Sequence, residues 1–164
     1  MNIDLLPIQE RPGDADQVLK WALKLWRSST IPGFSEENWT DFYHRAKPAN
    51  YRTWHGNDQE LIYVAKFGEN VVGTIALVSF DDLEEFRHLS PWVAAFIVNP
   101  ELRGRGFGTL ILSAIEKEAK SLGIERLYLW TEDQASFYKK RGYEIITSST
   151  WARLSFDVLK KELL

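Results

Sequence analysis

The segment Arg103-Gly104-Arg105-Gly106-Phe107-Gly108-Thr109, taken with its two flanks, constrains the fold more than any other part of the chain. Before it, Trp92 to Val98 is almost entirely apolar, the pattern of a strand covered on both faces. After it, Leu110, Ile111, Ala114, Ile115, Ala119 and Leu122 recur on one helical face, while Glu116, Lys117 and Lys120 take the other, and Gly123 supplies a stop. Arg126 to Trp130 then reads as a strand again. A buried strand, a glycine turn, an amphipathic helix and a further strand form a right-handed parallel crossover. The glycines let the backbone approach something bulky, and the two arginines put positive charge at the same place. The first N–H groups of a helix have no intrahelical acceptor, so the turn is built to hold a phosphate or pyrophosphate. A merely structural turn needs the glycines but not the charge.

The rest of the chain is placed around this unit. Ile3 to Arg11 reads as a first strand, which Pro7 confines to an edge or a short piece. Asp14 reads as the cap of a helix carrying Ala15, Val18, Leu19, Ala22, Leu25 and Trp26, and Ser28 to Phe34 as a loop. Ser35 caps a second helix running to about Ala46, closed off by Pro48. Leu61–Phe67 and Val71–Phe80 form a hairpin around Gly68-Glu69-Asn70, and Asp81 to Pro91 is an acidic connection. Asp133 reads as the cap of a short helix over Gln134–Arg141 ended by Gly142, with closing strands at Tyr143–Thr147 and Trp151–Val158. The expected fold is α/β (α+β): a mixed, mostly antiparallel sheet of six to seven strands with about four helices on its faces.

At 164 residues, without repeats or a dividing linker, the chain is expected to form one domain over residues 1–164. With 20 Lys and Arg against 23 Asp and Glu it lacks the basic face of a nucleic-acid binder. The absence of cysteine removes thiolate zinc sites, disulfides and cysteine nucleophiles. The first residues do not read as a signal peptide, and no apolar run reaches the roughly 18 residues of a membrane span. A cytoplasmic protein with no membrane partner is expected.

Three phosphate readings compete for the glycine run. A mononucleotide loop needs Gly-x4-Gly-Lys-Ser/Thr, which is absent. A dinucleotide turn needs Gly-x-Gly-x-x-Gly, but Thr109 stands at the third glycine, and Glu132 and Asp133 lie too far along to be its ribose-binding acid. The spacing Arg103-x-x-Gly106-x-Gly108 resembles the acetyl-CoA signature of the GNAT superfamily of N-acetyltransferases. Val98-Asn99-Pro100-Glu101-Leu102-Arg103 and Phe137-Tyr138-Lys139-Lys140-Arg141-Gly142-Tyr143 are similar to that family's strand exit and late helix, and the element order agrees. Leu129 to Gln134 with Phe137-Tyr138 also resembles members that acetylate protein N-termini.

The resemblance implies a sheet whose central strands splay at the acetyl-CoA site, with acetyl-CoA as cosubstrate and no metal. It implies that backbone N–H groups of Arg103, Gly104, Arg105, Gly106, Phe107, Gly108 and Thr109 hold the pyrophosphate. It implies that Phe96, Ile97 and Val98 pair with the pantetheine arm as one more strand would, and that Tyr138 is the general acid. The acceptor it implies is a primary amine on a small molecule, an amino acid or a peptide, and the protein is expected to be a monomer or homodimer. No carboxylate lies on Trp92–Val98, where several members carry a glutamate base. That leaves Asp81, Asp82, Glu84, Glu85, His88, Glu132, Asp133 or a water relay, and keeps open a non-catalytic acyl-CoA sensor. A nucleotide-binding protein with a distorted glycine loop is a third reading. Phe34, Trp39, Phe42, Tyr43, Tyr51 and Trp54 either line an acceptor pocket or cover the sheet.

Overall fold

Alternating apolar stretches become strands and 3.6-period stretches become helices in the order β1 (Asp4–Pro7), α1 (Pro12–Trp26), α2 (Glu36–His44), β2 (Glu60–Phe67), β3 (Asn70–Val78), β4 (Trp92–Val98), α3 (Phe107–Ser121), β5 (Arg126–Thr131), α4 (Ala135–Lys139), β6 (Glu144–Trp151) and β7 (Leu154–Glu162). The computed structural model of the protein describes residues 2–26 and 31–164. The strands form one sheet in the order β1-β2-β3-β4-β5-β7-β6. Every neighbouring pair is antiparallel except β4 and β5, which are parallel. The crossover through α3 requires that exception.

The sheet is covered on both sides. On one, α1 and α2 bring Val18, Trp21, Ala22 and Tyr43 onto Ile62, Val64 and Trp92. On the other, α3 brings Ile111, Leu112 and Ile115 onto Ile75, Leu77, Leu127 and Leu129. Gly73 permits the close approach of α3: a Cβ there would stand 2.5 Å from the Ile97 carbonyl oxygen and 2.6 Å from Ile111 Cδ1. Among the described residues no helix is long and apolar enough to cross a membrane.

Several boundaries differ from the sequence expectation. The first strand ends at Pro7 rather than Arg11, and Ile8–Glu10 is a 3-10 turn. Asp14 is not the cap of α1, which already begins at Pro12, the helix position where a missing N–H costs nothing. Asp14 instead accepts from Arg11 Nε at 2.8 Å. Nor does Asp133 cap α4; the Thr131 hydroxyl oxygen accepts from the Gln134 N–H at 3.0 Å. The last hairpin turns at Ala152-Arg153, both at positive φ, so Trp151 closes β6 instead of opening β7. Of the expected loop at Ser28–Phe34, residues 28–30 lie outside the described residues.

Candidate active site

The parallel pair at the centre of the sheet is barely a pair. Its ladder consists of Trp92 opposite Tyr128, with the Tyr128 N–H donating to the Pro91 carbonyl at 3.0 Å. Beyond that point β4 and β5 part. The parting coincides with a bulge in β4: the register with β3 jumps between Thr74–Ile97 and Ala76–Ala94, and Ala95 takes φ +48°. A non-glycine residue there is uncommon and marks strain held by its surroundings. The bulge breaks the in–out alternation, so that Ala94 and Ala95 both face the α1–α2 side. Buried backbone donors and acceptors must find partners, so a strand edge opened this way calls for a ligand or water.

β4 runs through a 3-10 turn, Pro100–Leu102, into the glycine run. Gly104 and Gly106 take φ +77° and +85°, and a Cβ on either would meet nothing within 4 Å, so the space above the turn is open. Gly106 is the N-cap of α3, and the N–H groups of Phe107, Gly108 and Thr109 donate no hydrogen bond to the described chain. Arg103 and Arg105 are exposed and form no ion pair with the described residues. Gly108 packs closely, its Cβ position 3.5 Å from both Phe137 and Val98. An anion of pyrophosphate size fits here: there are free donors, two free cations and no side chain in the way. Arg141, which the sequence reading did not single out, joins this place. It donates from Nε and a terminal nitrogen to the Thr109 hydroxyl oxygen at 3.0 and 2.6 Å, donates to the Phe137 carbonyl at 2.6 Å, and stacks 3.7 Å over the Phe137 ring. The sequence signal was present in the Phe-Tyr-Lys-Lys-Arg-Gly-Tyr block.

Where the strands part there is a cavity of about 670 Å³. Val93–Phe96 line one side and Leu129–Thr131 the other; Trp26, Phe34, Trp39, Phe42 and Phe80 form an aromatic wall, and Tyr138 reaches in from α4. The Tyr138 ring lies edge-on to Phe137 and Tyr143, and burial pushes its phenol up to about 12. It is a protonated hydroxyl throughout the neutral range. Trp39 is nine-tenths buried and its indole N–H has no acceptor among the described residues.

The carboxylates on this cavity are Glu60, Asp81, Asp82, Glu132 and Asp133, with no Lys, Arg or His among its described lining residues. Asp81 is the most perturbed. Burial pushes its carboxyl up to about 8; the neighbouring Asp82 charge adds to this, and a hydrogen bond from Trp130 opposes it. Part of Asp81 still opens onto the cavity, so a bound amine can reach its carboxyl. Asp82 and Glu60 are also raised, chiefly by burial, although Lys47 at 3.8 Å pulls Glu60 back. Asp82 sits exposed at the rim, so the deeper Asp81 carries more weight.

The sequence-derived residues are thus only partly brought together. Phe96 and Tyr138 reach the cavity. Ile97 is buried on the α1–α2 side, and Val98 packs against Gly108. Glu84 and Glu85 line an adjoining pocket, and His88 lines neither. Of the expected aromatic cluster, Phe34, Trp39, Phe42 and Tyr43 lie together, but Tyr51 and Trp54 pack on the opposite face of the sheet. The Tyr51 hydroxyl is taken up by the Ile62 backbone, donating to its carbonyl at 3.1 Å and accepting from its N–H at 3.2 Å.

Comparison with known proteins agrees with this geometry. The family model "Acetyltransferase (GNAT) family" matches residues 23–143. N-alpha-acetyltransferase 80 of Mus musculus is 42% identical over 53 residues, 32% of this chain and 17% of that protein. An amino-acid acetyltransferase of Pasteurella multocida is 36% identical over 53 residues, 32% of this chain and 12% of that protein. The chain therefore spans only a small part of the length of these relatives. Among solved structures, aminoglycoside 6'-N-acetyltransferase complexed with coenzyme A superposes with a TM-score of 0.71 at 17% identity, covering 100% of this chain and 98% of that one, which is a likeness of fold. A glycine loop opening α3, a bulged β4 parting from β5, and a family match running through all of them lead to one statement: the chain belongs to the GNAT acetyltransferase family.

Proposed function

We propose that the protein is an acetyl-CoA-dependent N-acetyltransferase that acetylates a primary amine held in the cavity between β4 and β5. The observation that carries this reading is the parting of the two strands beyond Trp92–Tyr128, with the open glycine turn at the end of the parted strand. The names of the matched relatives and the coenzyme A complex of the structural neighbour support the same chemistry.

Acetyl-CoA, when bound, supplies an acetyl group as a thioester whose carbonyl carbon an amine can attack. The free N–H groups of Phe107–Thr109, with Arg103 and Arg105, hold its pyrophosphate. The backbone of Phe96–Val98 takes up its extended arm. An ammonium has no lone pair, so the acceptor must first give up a proton. Asp81, lining the cavity with a raised pKa, accepts it. Tyr138 donates its proton to the departing sulfur. One N–C bond forms and one C–S bond breaks. Two protons leave the nitrogen, the first to Asp81 and the second, once the N–C bond has formed, to water. One reaches the sulfur from Tyr138, so that after water resets both side chains one proton is released.

Isothermal calorimetry with acetyl-CoA, followed by thiol release over a panel of amines, tests the reading. Absence of binding ends it. Binding without thiol release from any amine replaces it with a non-catalytic acyl-CoA-binding protein.

A further inference from the structure

The cavity does not end at the reacting group. A second pocket of about 660 Å³ adjoins it, and Phe80 and Asp82 line both. Its other described walls are Pro32, Leu83, Glu84, Glu85, Ser149, Thr150 and Trp151. Neither pocket has a Lys, Arg or His among its described lining residues. The charge is one-sided: Glu60, Asp81, Asp82, Glu132 and Asp133 lie on the first pocket, and Asp82, Glu84 and Glu85 on the second. The chain as a whole carries a net charge of only -3, so this is a local concentration rather than a general acidity.

Protein groups answer little of it. Arg87 approaches Glu84 at 3.7 Å and lies 4.2 Å over the Phe80 ring, outside the lining of either pocket. Glu85 accepts from the Ser149 hydroxyl at 2.6 Å, which orients the carboxylate without neutralising it. Asp82 has no cation partner among the described residues. Asp82 and Glu60 are both shifted toward the protonated form, first by burial and, at Asp82, also by the Glu60 charge. Lys47, 3.8 Å from Glu60 and outside the described lining of either pocket, offsets part of the shift there. The uncharged surface fits a cation as well. Trp26, Phe34, Trp39, Phe42, Phe80 and Trp130 line the first pocket, and aromatic rings attract ammonium groups.

We infer that the acceptor carries at least two cationic groups: the reacting amine in the aromatic cavity beside Asp81, and a second ammonium or guanidinium in the adjoining trough of Asp82, Glu84 and Glu85. This rests on the acetyltransferase reading and adds the class of acceptor to it. An acceptor with a carboxylate next to its amine is disfavoured, because every charged group among the described lining residues would repel it. A linear polyamine and a short peptide rich in Lys or Arg share the required chemistry.

Calorimetry on the full chain with coenzyme A present compares linear diamines and triamines with n-alkyl monoamines of equal length. Peptides with basic or acidic residues after the N-terminus form a second arm. The di- and trications are expected to bind about tenfold or more tightly than the monoamines, with the gap closing as salt screens the exposed carboxylates. In the double variant Glu84→Gln/Glu85→Gln the ratio of dication to monoamine affinity is expected to fall about tenfold. Circular dichroism and the melting temperature establish that the variant is folded, and the wild-type ratio stands without it. Preference for polyamines over basic peptides, or the reverse, identifies the source of the second charge. Equal affinity for mono- and dications, a ratio unmoved in the variant, or preference for the acidic peptide overturns the inference. Thiol release distinguishes the two levels. Dication binding without transfer removes the acetyltransferase reading and leaves the charge reading intact, and transfer without charge preference does the opposite.

Discussion

Arg141 grips Thr109: its Nε and one terminal nitrogen reach the same hydroxyl oxygen at 3.0 and 2.6 Å, fastening the end of α4 to the first turn of α3. The guanidinium therefore stands beside the free N–H groups that open α3, adding charge where the helix dipole already favours an anion. Hydrogen bonds to charged groups contribute about 1.5–3 kcal/mol. Arg141→Ala is expected to weaken acetyl-CoA binding about tenfold by calorimetry. Arg141→Lys keeps the charge but loses the planar fork and should fall between the two. Equal affinity in all three proteins would leave Arg141 with a purely structural role.

Gly106 combines φ +85° with empty space where a side chain would project. A β-branched residue is a poor fit to that backbone and would fill the room a pyrophosphate needs. Gly106→Val should lose acetyl-CoA binding and about 1–3 kcal/mol of stability, read by calorimetry and chemical denaturation respectively.

Tyr138 has a phenol held near 12 by burial. Tyr138→Phe should lower kcat about a hundredfold while leaving acetyl-CoA affinity and melting temperature close to wild type. Steady-state kinetics beside calorimetry separate the two effects. An unchanged kcat would remove the acid role.

Asp81 gives activity a pH limb. As base it must be ionised, so kcat/KM should rise about tenfold per pH unit until it levels near the raised value of about 8. Asp82 and Glu60 are also raised and can steepen the lower end, while Tyr138 stays protonated throughout. Stability runs the other way. The folded carboxyl holds its proton to about 8 and the unfolded one releases it near 3.8. Wild type therefore loses stability as pH rises between those values. Asp81→Asn should lack the limb in both profiles; a wild-type rate flat from pH 6 to about 8.5 would exclude Asp81 as the base.

Gly73 and Gly13 give opposite signs for the same substitution. Gly73→Ala drives a methyl into the Ile97 carbonyl and Ile111 and should cost about 1–3 kcal/mol. Gly13 lies in α1 with nothing within 4 Å, and Gly13→Ala should add up to about 1 kcal/mol. Melting temperatures test both.

The order of the main elements was legible because period-2 and period-3.6 patterns were long and cleanly punctuated around β2, β3, β4 and α3. Ends were less legible where rival local chemistry decides them. Pro7 cannot continue a ladder, while Pro12 can open a helix, so Ile3–Arg11 divides where a hydrophobicity pattern alone runs on. The Ala95 bulge left no trace, because no glycine marks its positive φ. Tyr51 and Trp54 were misgrouped because sequence proximity to α2 does not say which face of the sheet the following connection covers. The candidate bases could be named but not ranked, since only the cavity distinguishes Asp81 from Glu84 or His88.

One pair, Trp92–Tyr128, joins the β1–β4 half of the sheet to the β5–β7–β6 half. The ladder therefore has a weak seam, which the side-chain cores of both faces bridge, and its unpaired margin opens locally at lower cost than either half can lose its own ladder. Amide hydrogen exchange should therefore report two blocks of protection with a fast-exchanging margin along Val93–Phe96 and Leu129–Thr131. A molecule lying along that margin becomes part of the protein's own cooperativity: it supplies the ladder that the seam lacks, and the margin should then exchange no faster than the strands beside it.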